Sequence, residues 1–302
     1  MKRRLVLFVL LICSLPAMAQ VDVEAVVTDR EGNRVRGLPA GDFLLRVDGA
    51  EVPVERFAEV EGTVGRSYLV FVDDSRSIAV QRDLVLWEIE RDLDRLGRED
   101  RMAIVAFDGA RLHPLADWTG DREALAAAFS EARRRPATRS AAWSADAAAA
   151  ALRSVAPAPG RKVMLVLSGG WPAGPSLQLV RDANRLGYTL YPVDVPALET
   201  ERAPEDTLLA LAEATGGRAA LASNRLDALE RAEEDTRSYY LLGFSPAWKA
   251  DDRDHRIELE IRRPGLDVRA RHGFPDLSAA TLAGMESEDL LLSGAGDHET
   301  AE

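Results

Sequence analysis

The residues best suited to chemistry lie in the run Phe71-Val72-Asp73-Asp74-Ser75-Arg76-Ser77, where an apolar stretch ends in a carboxylate followed by hydroxyls at two-residue spacing. Asp73, Ser75 and Ser77 offer one anionic and two neutral hard oxygens, the donor type that suits Mg2+ or Mn2+; Mg2+ takes an octahedral shell in which several positions stay with water. The same residues also read as capping chemistry, since Asp and Ser ahead of a helix accept hydrogen bonds from its free N–H groups. Neither role makes a nucleophile. Ser75 and Ser77 lack the Gly-x-Ser-x-Gly elbow, and the turn carries no Gly-x-Gly-x-x-Gly phosphate cradle. His113, His255, His272 and His298 are scattered without a metal-binding spacing such as His-x-x-x-His, so they read as surface or packing residues. No residue set supports an enzyme.

The elements that must hold this run follow from periodicity. From Tyr68 onward, short apolar runs alternate with amphipathic helices, the pattern of a parallel sheet covered on both faces. Strands are expected at Tyr68–Val72, Met102–Phe107, Val163–Leu167, Tyr188–Val193 and Arg218–Ala222. Leu86, Ile89, Leu93 and Leu96 form a helical stripe, and further helices are expected at Asp121–Arg134, Ser144–Val155, Ser176–Leu186, Glu205–Ala214 and Leu226–Thr236. Asp73 then falls at the carboxyl end of the first strand, where open α/β sheets bind ligands.

On either side the period is two. Val21, Val23, Ala25 and Val27 share one face, as do Phe43, Leu45 and Val47, with Asp48-Gly49 as a hairpin turn before Val52 and Val54. After Tyr239, Ile257, Leu259 and Ile261 alternate with charged residues, and so do Leu266, Val268 and Ala270. Neither flank has enough strands to be stable alone. The fold class expected is therefore α/β: a Rossmann-like, mostly parallel sheet with helices on both faces, inserted between N- and C-terminal β segments that pair as a small β-sandwich.

Asp-x-Ser-x-Ser at the end of the first strand resembles the opening of the metal-ion-dependent adhesion site of von Willebrand factor A (VWA) domains. In that family a Thr from a second loop and an Asp from a third complete the metal shell, and a partner's carboxylate takes the open position. Here the third loop reads Leu167-Ser168-Gly169-Gly170, with Gly169 in place of the Asp. Aligning the second loop on Asp146 puts Ala142 in place of the Thr, with Thr138, Ser140 and Ser144 as substitutes if the register slips. The implied Mg2+ or Mn2+ is therefore weakly held or absent, and the implied function is protein binding or adhesion through a partly degenerate site. The alternative is a structural or assembly factor of the cell envelope with a vestigial, metal-free site. Trp143 and Trp171, in the same loops, are candidate partner anchors, with burial beneath the loops as the other reading. More widely, Asp29-Arg-Glu-Gly32, Leu38-Pro-Ala-Gly-Asp42-Phe43, Ser238-Tyr-Tyr-Leu-Leu-Gly-Phe244 and Arg269-Ala-Arg-His-Gly273-Phe274, in that order around the α/β unit, resemble VWFA-related exported proteins of the kind abundant in Acidobacteria.

Lys2, Arg3 and Arg4 precede an apolar run from Leu5 to Leu15 and an Ala17-Met18-Ala19 ending, the pattern of a secretory signal peptide. The run is short for a membrane anchor, and Ile12 before Cys13 argues against a lipoprotein signal. The expected destination is periplasmic or extracellular. Cleavage after Ala19 removes the single cysteine, and losing Lys2, Arg3 and Arg4 takes the net charge from −12 to −15, a sign that disfavours nucleic acid. No later segment has the apolar length of a membrane span. The expected organisation is a signal peptide at 1–19, a β segment at 20–64, the VWA unit at 65–236, a second β segment at 237–275 and an acidic tail at 276–302 that is disordered or carries a short amphipathic docking helix around Leu277–Leu292, with an unidentified protein as the partner.

Overall fold

The computed structural model describes residues 20–61, 65–75, 77–138, 144–155, 158–171, 176–196, 205–246 and 250–285. Four strands come first: β1 (Val21–Asp29), β2 (Phe43–Val47), β3 (Ala50–Glu51) and β4 (Arg56–Glu61). An α/β unit follows, with β5 (Arg66–Asp73), α1 (Ala79–Arg91), β6 (Arg101–Phe107), β7 (Leu112–Thr119), α2 (Arg122–Arg134), α3 (Ser144–Ser154), β8 (Arg161–Ser168), α4 (Leu177–Leu186), β9 (Tyr188–Asp194), α5 (Glu205–Ala214) and α6 (Ala228–Thr236). The strands β10 (Ser238–Phe244), β11 (Arg253–Ile261), β12 (Leu266–Ala270) and β13 (Gly273–Asp276) come last.

The α/β unit is built on a sheet of order β7-β6-β5-β8-β9, parallel except for the outermost β7. Strand β5 sits in the middle and is covered on both sides, which is why its sequence is a continuous apolar run rather than an alternation. Tyr68, Val70 and Val72 face α1, α2 and α6 through Leu86, Ile89, Phe129 and Leu229. Leu69 and Phe71 face the other way, toward Leu152 of α3 and Leu179 of α4. Helix ends are fixed locally. Asp121 accepts from the amides of Glu123 (2.9 Å) and Ala124 (3.3 Å) to start α2, Ser176 accepts from the Leu179 amide (3.1 Å) to start α4, and Gly187, at φ 76°, ends α4.

The flanking strands interleave. One sheet has the order β12-β1-β10-β4 and the other β13-β11-β2-β3, so each contains strands from both ends of the chain. Val23, Ala25 and Val27 pack against Leu45, Val47, Leu242, Phe244 and Ile257 between the sheets. Asp48 and Gly49, at φ 51° and 81°, form the type I′ turn that joins β2 to β3. The Rossmann-like α/β sheet with flanks that pair into a two-sheet sandwich is thus the observed architecture.

Details differ from expectation. Strand β7 lacks a clean alternation because its pairing with β6 shifts register twice, and Pro114 is tolerated there because the strand lies at the edge. Arg218–Ala222 contributes one parallel bridge, Val193 to Ala220, rather than a strand. The last helix starts later than Leu226, after a 3-10 turn at Ala222–Asp227. Val52 and Val54 extend no strand beyond the two-residue β3. Residues 279–285 are helical, in line with the alternative of a short tail helix rather than with disorder, and Ser278 accepts from the Thr281 amide (3.2 Å). Residues 1–19 and 286–302 lie outside the described set, as does Trp143.

A buried cluster joins the two halves. Asp235 of α6 accepts hydrogen bonds from Arg269 of β12 (2.5 and 3.0 Å), from Arg34 in the β1–β2 connection (3.0 Å) and from the Tyr191 hydroxyl of β9 (2.8 Å). Burial alone would raise the Asp235 carboxyl, but the two guanidiniums and the phenol outweigh it and hold it below its ordinary value. Removing one member of such a buried pair typically costs about 3–5 kcal/mol. Asp235→Asn should therefore lower unfolding free energy by an amount of that order, read by urea denaturation at pH 7. A carboxyl held low in the fold stabilises fully above about pH 4 and loses that contribution as the pH falls through its folded value. The difference between wild type and variant should accordingly shrink in acid.

Candidate functional site

Strand β5 delivers Asp73 to the carboxyl edge of the sheet with 0% exposure, and a carboxylate in that position must be hydrogen-bonded. Three segments meet this demand. Ser75 donates to Oδ1 from its hydroxyl (2.6 Å) and its amide (3.1 Å), closing a tight turn after the strand. Ser168, the last residue of β8, donates to Oδ2 (2.7 Å). Ser144, the first residue of α3, also hydrogen-bonds to this carboxyl. Burial pushes the Asp73 carboxyl up, and the hydroxyls of Ser75, Ser168 and Ser144 oppose that shift.

Ser77 turns differently. Its hydroxyl donates to the backbone carbonyl of Asp73 (2.9 Å), so it braces the turn rather than joining the carboxylate. Thr138, a possible stand-in for the family's threonine, donates its hydroxyl to the Asp108 carbonyl. Among the described second-loop residues, Ser144 reaches Asp73. Ala142 and Ser140 lie outside the described residues. Gly169 is buried beside Ser168 and brings no carboxylate. Asp194 ends β9 and stands opposite Ser168 in the β8–β9 register.

Among the described residues the donor set falls short of a complete divalent-cation shell. Mg2+ takes about six oxygens, usually one or two carboxylates with several retained waters. Here both Asp73 oxygens are engaged by hydroxyl donors, Ser77 is committed to the backbone, and the third-loop anion is replaced by Gly169.

Trp171 does not serve as an exposed anchor. It is 4% exposed and its indole N–H donates to the Ser144 hydroxyl (2.6 Å), because a buried indole needs an acceptor and Ser144 lies under the third loop. The tryptophan thus roofs the Asp73 cluster and orients one of its serines.

Asp74 points the opposite way, as alternation along an extended chain requires. Its carboxylate pairs with Arg82 of α1 (2.6 Å) and with Arg135 at the end of α2 (2.8 Å). Burial raises the Asp74 carboxyl and the two guanidiniums oppose it. The Asp74 carbonyl accepts from the Thr138 amide (2.9 Å), so this residue also fixes the second loop. Arg135, just past the end of α2, is a half-buried partner whose side chain is 16% exposed. The signal that could have found it is the doubled Asp73-Asp74, since two adjacent strand-end carboxylates cannot share one environment.

A second feature went unread in the sequence. Val80, Leu84 and Trp87, at i, i+4 and i+7 of α1, lie on its outer face and are 74%, 40% and 50% exposed, while Val85, Leu86 and Ile89 fill the inner face. Arg91 lies over the Trp87 ring (5.6 Å). Helix α1 begins two residues after Ser77, so this stripe borders the Asp73 turn.

Strand order and site together define a VWA-like α/β fold: counted from β5, the order is 3-2-1-4-5 with the third strand antiparallel, and the Asp-x-Ser-x-Ser turn lies at the carboxyl end of the first. No protein-family model matches the sequence, and no curated protein matches it. The similar solved structures include one described as a VWA domain. BatB from Bacteroides thetaiotaomicron has TM-score 0.44 and 16% identity, over 57% of this chain and 97% of that one. The PilB minor pilin from Streptococcus sanguinis has TM-score 0.42 and 11% identity, over 59% and 61%. The SpRpn10 VWA domain has TM-score 0.34 and 12% identity, over 52% and 86%. At these identities the likeness is one of fold alone.

Two variants separate the roles of the adjacent acids. Asp74→Ala removes the buried carboxylate shared by Arg82 and Arg135, leaving Arg82 only the partly exposed Asp83 and the Arg135 carbonyl, and should cost about 3–5 kcal/mol. Ser77→Ala removes one hydrogen bond to a carbonyl and should cost about 1 kcal/mol. Urea unfolding of both proteins measures the contrast, and equal losses would refute the assignment.

Proposed function

We propose that this chain is an exported VWA-type protein-binding module that engages its partner without a metal ion, through the outer face of α1 and the loops beside it. The observation that carries this reading is the exposed stripe of Val80, Leu84 and Trp87 next to a closed, hydroxyl-satisfied Asp73 cluster. A half-exposed tryptophan with a guanidinium over its ring, set among aliphatic neighbours, has the composition of an interface hot spot. Export is supported by the basic, then apolar, then Ala-x-Ala pattern of residues 1–19. Among the described residues no helix is long and apolar enough to cross a membrane.

The second reading, an envelope assembly factor with a vestigial site, is favoured by the complete burial of Asp73. It places the partner contacts on the β-sandwich. A photocrosslinking residue at Trp87 and another at Arg256, on the exposed side of β11, distinguish the two in living cells. A discrete adduct formed at position 87 and abolished by Leu84→Glu supports the module. An adduct formed at 256 and not at 87 moves the contact surface to the sandwich.

Titration with Mg2+ tests the metal-free part of the proposal. Tm should show no saturable rise at millimolar Mg2+, in wild type or in Asp73→Ala. A saturable rise in wild type that vanishes in Asp73→Ala would restore a metal-dependent adhesion site.

A further inference from the structure

Away from the α/β unit, at one end of the sandwich, His255 of β11 is 4% exposed, and its ring nitrogens face carboxylates from separate parts of the chain. Its Nδ1 pairs with Asp48 of the β2–β3 turn (2.7 Å) and its Nε2 with Asp251 (3.1 Å). Asp276, the last residue of β13, is on the same face. β11 and β13 pair antiparallel with His255 opposite Phe274, so Asp276, two residues further on, is its diagonal neighbour. Ligand atoms of Asp251, His255 and Asp276 all lie within 4.8 Å of one another.

We propose that Asp251, His255 and Asp276 form a binding site for a divalent first-row metal ion, with Zn2+ the best match. The mixed donor set decides the class, because an imidazole nitrogen with two carboxylates suits Zn2+ or Mn2+ better than Ca2+ or Mg2+. The geometry agrees. Two ligands each about 2.0–2.1 Å from a tetrahedral zinc stand about 3.3 Å apart, close to the Nε2–Asp251 separation seen here. Asp48 supplies what metal-bound histidines have as a rule, a carboxylate on the other ring nitrogen that fixes the tautomer and orients the ring. That carboxylate is itself held, with Asp48 Oδ1 accepting from the Arg256 amide (2.9 Å). Phe274 stacks on the imidazole at 5.2 Å and closes its other side.

A second observation points to a ligand. Asp276 Oδ2 is shielded from solvent and accepts no hydrogen bond, an expensive state for a carboxylate oxygen with nothing bound to it. Asp251 is partly exposed, which leaves an entry path and open coordination positions. The bound ion would tie the turn before β11 to edge strand β13. Beside it, Asp254 pairs with Arg181 of α4 (2.9 Å), so the tie lies next to a contact between sandwich and α/β unit.

The test uses the purified chain, stripped with EDTA and titrated with ZnCl2 by calorimetry, beside Asp276→Asn, His255→Gln, Asp48→Asn and Asp73→Asn. One equivalent of Zn2+ should bind to wild type and to Asp73→Asn and raise Tm in both. Asp276→Asn and His255→Gln should lose that equivalent, and Asp48→Asn should bind about 10–100-fold more weakly. If a variant fails to fold, Co2+ titration of wild type decides: visible ligand-field bands of a nitrogen–oxygen site support the proposal, and their absence overturns it. Zn2+ retained by Asp276→Asn and His255→Gln would place the metal elsewhere and also overturn it. Because Asp73→Asn is expected to bind normally, failure here is distinguishable from failure of the binding-module reading.

Discussion

A carboxylate at the end of a strand buried on both faces is the constraint around which the α/β unit is organised. Strand β5 is central and apolar to its last turn, so Asp73 arrives where no water can solvate it. Its oxygens must find donors, and they find Ser75, Ser144 and Ser168 on three separate segments. Satisfying one side chain therefore fixes the turn into α1, the start of α3 and the end of β8 at once. Asp74 repeats the logic on the opposite side with two arginines, which pin α1 and the end of α2. The loops above this sheet edge are set by the need to satisfy two neighbouring acids in different ways.

The rest of the molecule is arranged by how the α/β unit is inserted. Its entry strand β4 and exit strand β10 pair with each other, Glu61 opposite Ser238, so the unit leaves and rejoins the sandwich through a two-stranded neck. A neck alone would permit rotation. The Asp235 cluster opposes it, because Arg34 and Arg269 come from the sandwich while Asp235 and Tyr191 belong to the inserted unit. Arg161 of β8 adds a second tie, lying over the ring of Tyr239 on β10 at 4.2 Å.

Periodicity was legible wherever one physical rule dominated. The buried run of β5, the stripes of α2 and α4 and the alternation of β2 and β11 each report burial directly, and the turn at Asp48-Gly49 follows from glycine chemistry. Edge strand β7 was not legible because bulges break its alternation, and Arg218–Ala222 falls short of a strand because it forms a single bridge. At the site, Asp73, Ser75 and Ser77 were readable as a motif, but which second-loop residue reaches the carboxylate was not. Helix α3 begins at Ser144, and Trp171 from the third loop selects that hydroxyl through its indole. The cluster around His255 was hidden for a different reason. Its members stand at 48, 251, 255 and 276, and strand pairing, not spacing along the chain, brings them together.

The departures from the VWA pattern are consistent with one another when read as charge accounting. An aspartate at position 169 would place a second buried carboxylate near Asp73, and two such anions would need a cation to coexist. With Gly169 there, Asp73 and three serines form a neutral-donor network that is complete in itself, and the indole of Trp171 can close over it. A site closed in this way gives up the electrostatic attraction that an open metal position offers a partner's carboxylate. The exposed Val80, Leu84 and Trp87 lie on the helix that the Asp73 turn itself begins, so the binding proposed for this edge would draw on apolar area rather than on a metal.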